Sequence, residues 1–169
     1  MGFFKKKKEN NIGTINYANG DTYEGELSKK GQKHGHGTYT YASSGSVYVG
    51  DWIEDVRSGK GTITWTSGDS YEGDFAEGQQ HGTGTFKWSN GNVYVGQFVK
   101  NKREGKGTMT WASGNVYEGD WVDGNRHGKG KYNYASGGVY DGDWREDERR
   151  GEGKMVWASG DVYEGEFGL

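Results

Sequence analysis

Three histidines recur along the chain at a regular spacing, and histidine is a common metal ligand. His34, His81 and His127 each precede a Gly-x-Gly motif and lie 46 to 47 residues apart. In a linear array of strands this spacing separates neighbouring histidines by roughly 19 Å. The ligands of one metal ion must lie within a few ångströms of a common centre. We therefore predict no metal site and interpret the histidines as turn residues that bond to local backbone.

Acidic residues also recur, in two columns that alternate with aromatic residues. The first column contains Glu24, Glu72, Glu118 and Glu164, and the second contains Glu26, Asp51, Asp74, Asp120, Asp143 and Glu166. Polar residues that alternate with apolar ones along a strand usually form its solvated face. Acid–base catalysis also needs a pocket, and the sequence offers no element to close one. We predict weak, nonspecific binding of divalent cations at most.

The Gly-x-Gly motif and the absence of cysteine narrow the chemistry further. The motif begins at Gly35, Gly59, Gly82, Gly105, Gly128 and Gly151. No copy has a third glycine three residues further on or precedes a helical pattern, so the motif does not predict a nucleotide site. Without Cys there are no disulfides, thiolate metal ligands or thiol nucleophiles. The sequence therefore predicts a non-enzymatic protein with no catalytic residues, metal or cofactor.

Basic residues cluster at the amino terminus and in two segments that the sequence places in loops. Phe3 and Phe4 are followed by four lysines, and the segments 28–36 and 99–106 each carry a net charge of +3. The candidate contacts to anionic lipid are Lys5, Lys6, Lys7, Lys8, Lys29, Lys30, Lys33, Lys100, Lys102, Arg103 and Lys106. At roughly 1 kcal/mol per cation, the four tail lysines would contribute ~4 kcal/mol of reversible membrane association. The simpler interpretation is that residues 1–12 form a solvated, disordered basic tail.

Composition limits the class of protein. A net charge of −3 argues against nucleic acid as a general partner. Mean hydropathy is low, at −1.05, but 15% of the residues are aromatic, which disordered chains rarely are. The 33 glycines and the absence of proline favour turns and close backbone approaches. With no apolar run of ~18 residues and no signal-peptide core, we expect an intracellular, cytoplasmic location, with the cytoskeleton or a membrane as candidate sites of association.

A repeat determines the fold. The motif Tyr-x-Gly-x-aromatic begins at Tyr23, Tyr48, Tyr71, Tyr94, Tyr117, Tyr140 and Tyr163, with Leu27 replacing the aromatic in the first copy. One step of 25 residues is followed by five steps of 23. Within a unit, Met109 and Trp111 share one face of a strand, and Tyr117, Gly119 and Trp121 share one face of the next. The intervening Ser-Gly-Asn predicts a hairpin turn.

The aromatic positions form columns that continue from unit to unit. The predicted aromatic face contains Tyr41, Trp65, Trp88, Trp111, Tyr134, Trp157, Trp52, Trp121 and Trp144. The glycine between Tyr and the final aromatic leaves a gap on this face, which we expect a ring from an adjacent hairpin to fill.

These patterns predict an all-β fold, an elongated single-layer antiparallel sheet of about seven tandem β-hairpins over residues 13–169. A lone hairpin is marginally stable in water, so each must stack on its neighbours. A β-propeller is the alternative, but seven half-blades give fewer than the usual four blades. At about 4.8 Å per strand, the array would measure roughly 65 Å before twist shortens it.

The run from Tyr117 to Gly130, Tyr-Glu-Gly-Asp-Trp-Val-Asp-Gly-Asn-Arg-His-Gly-Lys-Gly, resembles the MORN-repeat consensus. The resemblance covers about residues 13–169 and implies successive hairpins, no activity of their own, and roles in scaffolding, oligomerisation or tethering. The chain departs from that consensus regularly. Only alternate units carry the His before Gly-x-Gly, and the residue after Tyr is Glu in odd units but Val or Asp in even ones. The result is a two-unit period of about 46 residues.

Three functional hypotheses follow. The first is a scaffold or adaptor that presents its aromatic face to other proteins or to a second copy of the chain. The second is a peripheral tether that binds anionic phospholipids, phosphoinositides among them, as the targeting region of a larger enzyme such as a phosphatidylinositol phosphate kinase. The third, an aromatic-lined carbohydrate-binding array, would require secretion. Because the chain ends within a motif, at Phe167-Gly168-Leu169, we expect a piece of a longer protein.

Overall fold

The computed structural model describes residues 11–168 and places them in one open sheet. Fourteen antiparallel strands pair in chain order, so each strand hydrogen-bonds only to its sequence neighbours. The strands are β1 (Asn11–Asn16), β2 (Thr22–Leu27), β3 (Lys33–Thr40), β4 (Val47–Ile53), β5 (Val56–Thr64), β6 (Ser70–Ala76), β7 (Gln79–Lys87), β8 (Val93–Val99), β9 (Lys102–Thr110), β10 (Val116–Val122), β11 (Asn125–Asn133), β12 (Val139–Arg145), β13 (Glu148–Val156) and β14 (Val162–Phe167). The predicted all-β array of tandem hairpins is confirmed.

Two details concern the ends and the membrane. Strand β1 begins at Asn11, two residues before the predicted start of the array. The rest of the predicted disordered tail, including its four lysines, lies outside the described residues. Within the described part of the chain, no helix is long and apolar enough to cross a bilayer.

The strands are joined by two kinds of connection. After β9, the Trp111 N–H donates to the Asn115 carbonyl and Gly114 adopts a φ of 89°, so the predicted Ser-Gly-Asn turn is confirmed. The other connections are mostly two-residue turns in which both residues have positive φ, as at Lys100 (50°) and Asn101 (67°). Positive φ at both central positions is the type I′ geometry, which closes a hairpin without extra residues.

The short turns correct one prediction. The sequence placed segments such as 99–106 in loops, but β9 begins at Lys102 and runs through the Gly-x-Gly motif. The first such connection is the exception, because it spans residues 28–32 between β2 and β3. Most of the charged residues counted as loop residues therefore belong to strands and have a defined face.

A row of glycines crosses the whole sheet. Fourteen of them pair in register from strand to strand: Gly13, Gly25, Gly37, Gly50, Gly61, Gly73, Gly84, Gly96, Gly107, Gly119, Gly130, Gly142, Gly153 and Gly165. A Cβ built on Gly130 would lie 2.3–2.5 Å from atoms of the Tyr117 ring, closer than real Cβ contacts allow. The glycine row therefore exists because the tyrosine rings lie directly on it.

The ring over each glycine is not the one predicted. We expected a ring from an adjacent hairpin over Gly119, but the ring of Tyr117, two residues earlier in the same strand, covers it. The same ring extends over Gly130 in the next strand. The physical reason is the tyrosine hydroxyl, which donates to the carbonyl of Asp120 at 2.9 Å and so draws the ring along its own strand.

In six of the seven motifs that carbonyl acceptor lies beside a β-bulge. The register shifts just after the glycine in six strand pairs, as between Gly119 and Asp120 in the pair β10–β11. A bulge leaves one residue outside the ladder and frees its backbone groups. Every tyrosine of the motif, from Tyr23 to Tyr163, donates its hydroxyl to the carbonyl three residues on, at 2.7–3.1 Å.

The core is a continuous ladder of aromatic rings on one face of the sheet. Thirteen rings contact one another edge to face, with centroids 4.8–5.6 Å apart and interplanar angles of 80–88°. In order, they are Tyr23, Trp52, Tyr48, Phe75, Tyr71, Phe98, Tyr94, Trp121, Tyr117, Trp144, Tyr140, Phe167 and Tyr163. Each edge-to-face pair contributes about 0.5–1.5 kcal/mol beyond area burial. Because each hairpin covers the next, a single-layer sheet buries six tyrosines completely.

Gly84→Ala tests the close contact between ring and glycine row. Its Cβ would meet the Tyr71 ring at 2.5 Å, so we expect the free energy of unfolding to fall by about 1–3 kcal/mol. Urea denaturation measures the change. Gly138→Ala is the control, because its Cβ would come no closer than 3.3 Å to any atom, with Met155 and the Val156 carbonyl oxygen at that distance and Tyr134 at 3.5 Å. Equal stability of the two variants would contradict the packing described.

The buried tyrosines also predict alkaline unfolding. Burial raises the pKa of Tyr23 and Tyr94 to about 12 and raises the pKa of Tyr48, Tyr71 and Tyr117 as well. Because the folded pKa exceeds the unfolded value of about 10, their contribution to stability is complete below pH ~10 and is lost as the pH rises further. We expect tyrosinate absorbance and loss of β-sheet circular dichroism to change together above pH ~10. Ionisation of these tyrosines with the sheet intact would contradict the expectation.

Candidate functional site: an aromatic face with a column of cations

The exposed aromatic surface is a row of rings at one end of the odd-numbered strands, which we call the outer ring row. It contains Tyr17, Tyr41, Trp65, Trp88, Trp111, Tyr134 and Trp157. Each is the first residue of a loop, and the loop fixes its backbone, as where the Trp65 N–H donates to the Asp69 carbonyl. These rings are half-buried except Trp157, which is 45% exposed. They therefore present apolar surface on a backbone that the loops hold in place.

The predicted aromatic face divides into two sets with different roles. Six of its nine residues, from Tyr41 to Trp157, belong to the outer ring row. The other three, Trp52, Trp121 and Trp144, are 2–5% exposed and form part of the ladder. Their indole N–H groups donate to carbonyls of the glycine row, as Trp144 does to Gly130 at 2.9 Å. These three residues hold the array together and cannot contact a partner.

Cations lie beside the outer ring row, at a position that repeats with the units. This cation column contains Lys33, Arg57, Arg103, Arg126 and Arg149, with Gln80 at the equivalent position of the third unit. The Arg126 guanidinium lies 4.3 Å from the Trp144 ring and within 6 Å of three further rings. Sequence analysis missed this column because it summed charges by segment. The repeated spacing of the cations was the available signal.

Two residues predicted to contact lipid belong to this column. The Lys33 amine is enclosed by the rings of Tyr17, Tyr39 and Trp52, at 4.8–5.1 Å, and the residue is 9% exposed. The Arg103 guanidinium lies 4.4 Å from the Trp121 ring, and burial lowers its pKa from the ordinary value. Their side chains therefore face the rings, and the prediction of free basic loop residues is wrong for both.

The remaining predicted lipid contacts are dispersed. Lys102 pairs with Asp123 at 2.7 Å, and Lys106 pairs with Asp120 at 2.6 Å. Lys29, Lys30 and Lys100 are exposed turn residues. Lys5, Lys6, Lys7 and Lys8 lie outside the described residues.

Residues of the cation column form hydrogen bonds to the short turns, and the kind of hydrogen bond alternates from one unit to the next. Where the second turn residue is Gly, as at Gly78, its carbonyl accepts from the Arg57 guanidinium. Where it is Asp or Asn, its side chain accepts the backbone N–H of a column residue. These bonds join Asp55 to Lys33, Asn101 to Gln80 and Asp147 to Arg126, at 2.9–3.0 Å. The two-unit period of the sequence therefore corresponds to these two alternating hydrogen-bond patterns between one hairpin and the next.

The recurring histidines belong to the same alternation. His34, His81 and His127 lie within β3, β7 and β11, so the prediction that they are turn residues is wrong. Their carbonyls accept a second, longer contact from the tyrosine hydroxyls, at 3.3–3.5 Å. Among residues 11–168, no three His, Cys, Asp or Glu side chains come together as metal ligands would.

The acidic column serves the bulges. The Asp74 carboxylate accepts the Thr83 backbone N–H at 2.8 Å, and Asp120 accepts that of Lys129 at 3.0 Å. The hydrogen bond from Lys60, which lies 2.6 Å from Asp74, holds the pKa of that carboxyl below its usual value. These carboxylates of the second predicted acidic column are therefore fixed parts of the strand pairing, whereas the first column, Glu24, Glu72, Glu118 and Glu164, is exposed.

Hollows occur on both faces of the sheet. One hollow of about 790 Å³ lies on the polar face over the backbone of the glycine row, between residues such as Val49, Thr85 and Lys106. Three smaller hollows, of about 390, 220 and 490 Å³, lie on the aromatic face. Each of these three combines rings of the outer row with arginines of the cation column, as Trp88 and Arg103 do in the second. The aromatic face thus offers repeated shallow hollows.

A family model described as MORN repeat matches residues 23–46, 48–70, 71–93, 94–116, 117–139 and 140–162. No curated protein matches the chain. These matched segments together cover most of the sheet.

Several solved structures match the chain at low sequence identity. The SAS-4 (dCPAP) TCP domain of Drosophila melanogaster, in complex with a proline-rich motif of Ana2 (dSTIL), is 12% identical; the match covers 92% of this chain and 90% of that one, with a TM-score of 0.50. The TCP10c domain of Drosophila melanogaster Sas-4 is 11% identical over 92% and 99%, with a TM-score of 0.48. The G-box domain of the microcephaly protein CPAP is 12% identical over 94% and 99%, with a TM-score of 0.43.

Arg126→Ala tests the role of the cation column. It removes a guanidinium that lies over four rings and bonds to Asp147 at 2.8 Å. A largely desolvated cation–π contact is worth about 2 kcal/mol, so we expect the free energy of unfolding to fall by about that amount in a denaturant titration. Arg145→Ala, an exposed arginine in β12, is the matched control and should change stability little. Equal losses in the two variants would contradict the assigned role.

Proposed function

The chain belongs to the MORN-repeat family, and from that premise we propose that it is a protein-interaction scaffold whose aromatic face binds extended segments of partner proteins. The single observation that carries this proposal is the outer ring row. It presents seven Trp and Tyr rings at regular intervals on one face, and their backbones are fixed by hydrogen-bonded loops.

The chemistry of this face is that of a protein interface. Trp, Tyr and Arg are the residues most enriched among those that contribute most to binding energy. Rings such as Trp88 and Trp111 are partly exposed, and Arg103 and Arg126 lie within 6 Å of them. Binding would bury apolar area on rings whose conformation is already restricted, so it would cost little conformational entropy.

The shared fold with the SAS-4 TCP domain supports a peptide-like partner. That domain is also matched along nearly its whole length, and its structure is a complex with a proline-rich motif of another protein. A domain of this fold therefore has a precedent for binding a short motif of another protein.

We propose no catalytic role for the described residues, because the polar groups that could act are engaged in structure. Asp74 and Asp120 accept backbone N–H groups at the bulges. The tyrosine hydroxyls donate to bulge carbonyls and are buried. Other proteins, a second copy of the chain among them, are the partners that this surface suits.

The membrane-tether alternative has weaker support. It depended on basic loop residues, but Lys33 and Arg103 lie against rings, and Lys102 and Lys106 are paired with carboxylates. What supports it is the run of lysines at positions 5 to 8. Binding to anionic vesicles through that run is therefore the outcome that would favour a tether over a scaffold.

Panning a peptide library against the whole chain tests the scaffold proposal. The key variant replaces Trp88 and Trp111 with Ala. The control replaces Thr85 and Thr108, which lie on the strands that the two tryptophans follow but on the opposite face. We expect enriched peptides to lose about tenfold or more in affinity for the tryptophan variant and to bind the threonine variant unchanged. Circular dichroism verifies that both variants fold.

Three results would overturn the proposal. Enrichment of no peptide is the first, and dependence of the enriched peptides on the threonine face is the second. The third is binding confined to phosphatidylserine-containing vesicles and abolished by substituting Ala for Lys5, Lys6, Lys7 and Lys8, which would establish the tether instead.

A further inference from the structure

The outer ring row has a definite repeat length. Consecutive rings, such as Trp65, Trp88 and Trp111, follow alternate strands of one antiparallel sheet. With about 4.8 Å between neighbouring strands, the rings recur every ~9.6 Å along a line that crosses the strands. A partner that contacts several rings must therefore present an apolar group every ~9.6 Å.

This repeat discriminates among peptide conformations. A polyproline II helix has three residues per turn and rises ~3.1 Å per residue, so its third residues recur every ~9.3 Å. The alternate residues of a β-strand recur every ~6.6 Å. The heptad positions of an α-helix recur every ~10.5 Å. The mismatch per hairpin is ~0.3 Å for polyproline II, against ~0.9 Å for the α-helix and ~3 Å for the strand.

The backbone of the sheet favours the same conformation. Strands β2 to β13 are each paired on both sides, so a peptide lying across them cannot be added as another strand. A polyproline II peptide does not need such pairing, because it has no internal hydrogen bonds and its carbonyls are free. The structure records one hydrogen bond from the Arg103 guanidinium, to the Gly124 carbonyl, although a guanidinium has five N–H donors.

The charge of the face completes the description of the ligand. The cation column runs beside the rings, with Arg103 5.9 Å from Trp88 and Arg126 5.9 Å from Trp111. In a helix of three residues per turn, one residue of each turn faces the rings and a second can face the column. Arg126 is already paired with Asp147. Arg103 has no carboxylate partner among the described residues, so charge complementarity favours an acidic second residue opposite it. At Gln80 the column is neutral, so the acid opposite it contributes less.

We infer that the outer ring row, from Trp65 to Tyr134, binds an acidic proline-rich segment of a partner protein as a polyproline II helix, one turn per hairpin. The inference rests on the proposed scaffold function and specifies its ligand. Proline lies against the rings at every third position, and Asp or Glu lies toward the cation column. Four rings span three turns, so a segment of about twelve residues fills the site.

Synthetic peptides test the register. The probe is Pro-Ala-Glu repeated four times. Its control has the same composition, but the intervals between its four prolines are alternately two and four residues. Fluorescence anisotropy with the whole chain should give at least about tenfold tighter binding for the three-residue period. A Pro-Ala-Lys repeat should bind at least as weakly as the shuffled control. Trp88→Ala should weaken the Glu peptide about tenfold, and Thr85→Ala should leave it unchanged.

Gln80→Arg provides a second measurement that does not remove a packed ring. Restoring a cation at the neutral position should tighten binding of the Glu peptide a few-fold without affecting the shuffled control. Equal affinity for ordered and shuffled peptides, or no binding of either, would overturn the inference. If library panning still yields ring-dependent peptides without a three-residue proline period, the scaffold function stands and the polyproline II ligand alone is rejected.

Discussion

The fold depends on one contact, that of a tyrosine ring packed against the glycine row while its hydroxyl donates to a carbonyl three residues further on, in most units beside a β-bulge. A single-layer sheet has no second layer to cover its apolar face, and a lone hairpin is marginal in water. Here the ring of Tyr117 covers Gly119 and Gly130, its hydroxyl donates to Asp120, and the ring of Trp144 from the next hairpin packs against its edge. The position of each tyrosine ring and the packing of the next hairpin against it thus depend on each other. Stability is therefore a property of the whole array of hairpins.

The second level of organisation separates structural aromatic residues from those available to a partner. Ladder residues such as Trp121 are buried by their neighbours, whereas outer rings such as Trp88 are held by loops and left half-exposed. The cation column lies between the two sets and fastens each hairpin to the turn of the next. Because these fastenings alternate between Gly turns and Asp or Asn turns, the array is built of pairs of hairpins. The pairing accounts for the two-unit period of the sequence.

Sequence alone predicted the hairpins, their columns and the aromatic side of the sheet, since alternation along strands and a 23-residue period specify which residues share a face. It did not predict the ring position over Gly119, because that depends on a bulge which no single residue type indicates. The strands through segments such as 99–106 were missed since their type I′ turns use Lys100 and Asn101, not the Asn-Gly or Asp-Gly pairs most typical of such turns. Arg126 was missed because its charge suggested solvent, whereas its methylene stem and planar head suit a stack of rings.

Proton NMR of the glycine row tests the central claim most directly. A ring lying over Gly84 and Gly130 must shift the Hα proton on that face strongly upfield, and nuclear Overhauser contacts must join it to Tyr71 and Tyr117 respectively. The account predicts upfield-shifted Hα protons at two glycines for each motif tyrosine that covers two strands, one glycine in its own strand and one in the next. Glycine Hα shifts at their unstructured values, or contacts to the Trp and Phe rings of a neighbouring hairpin in place of these tyrosines, would contradict it.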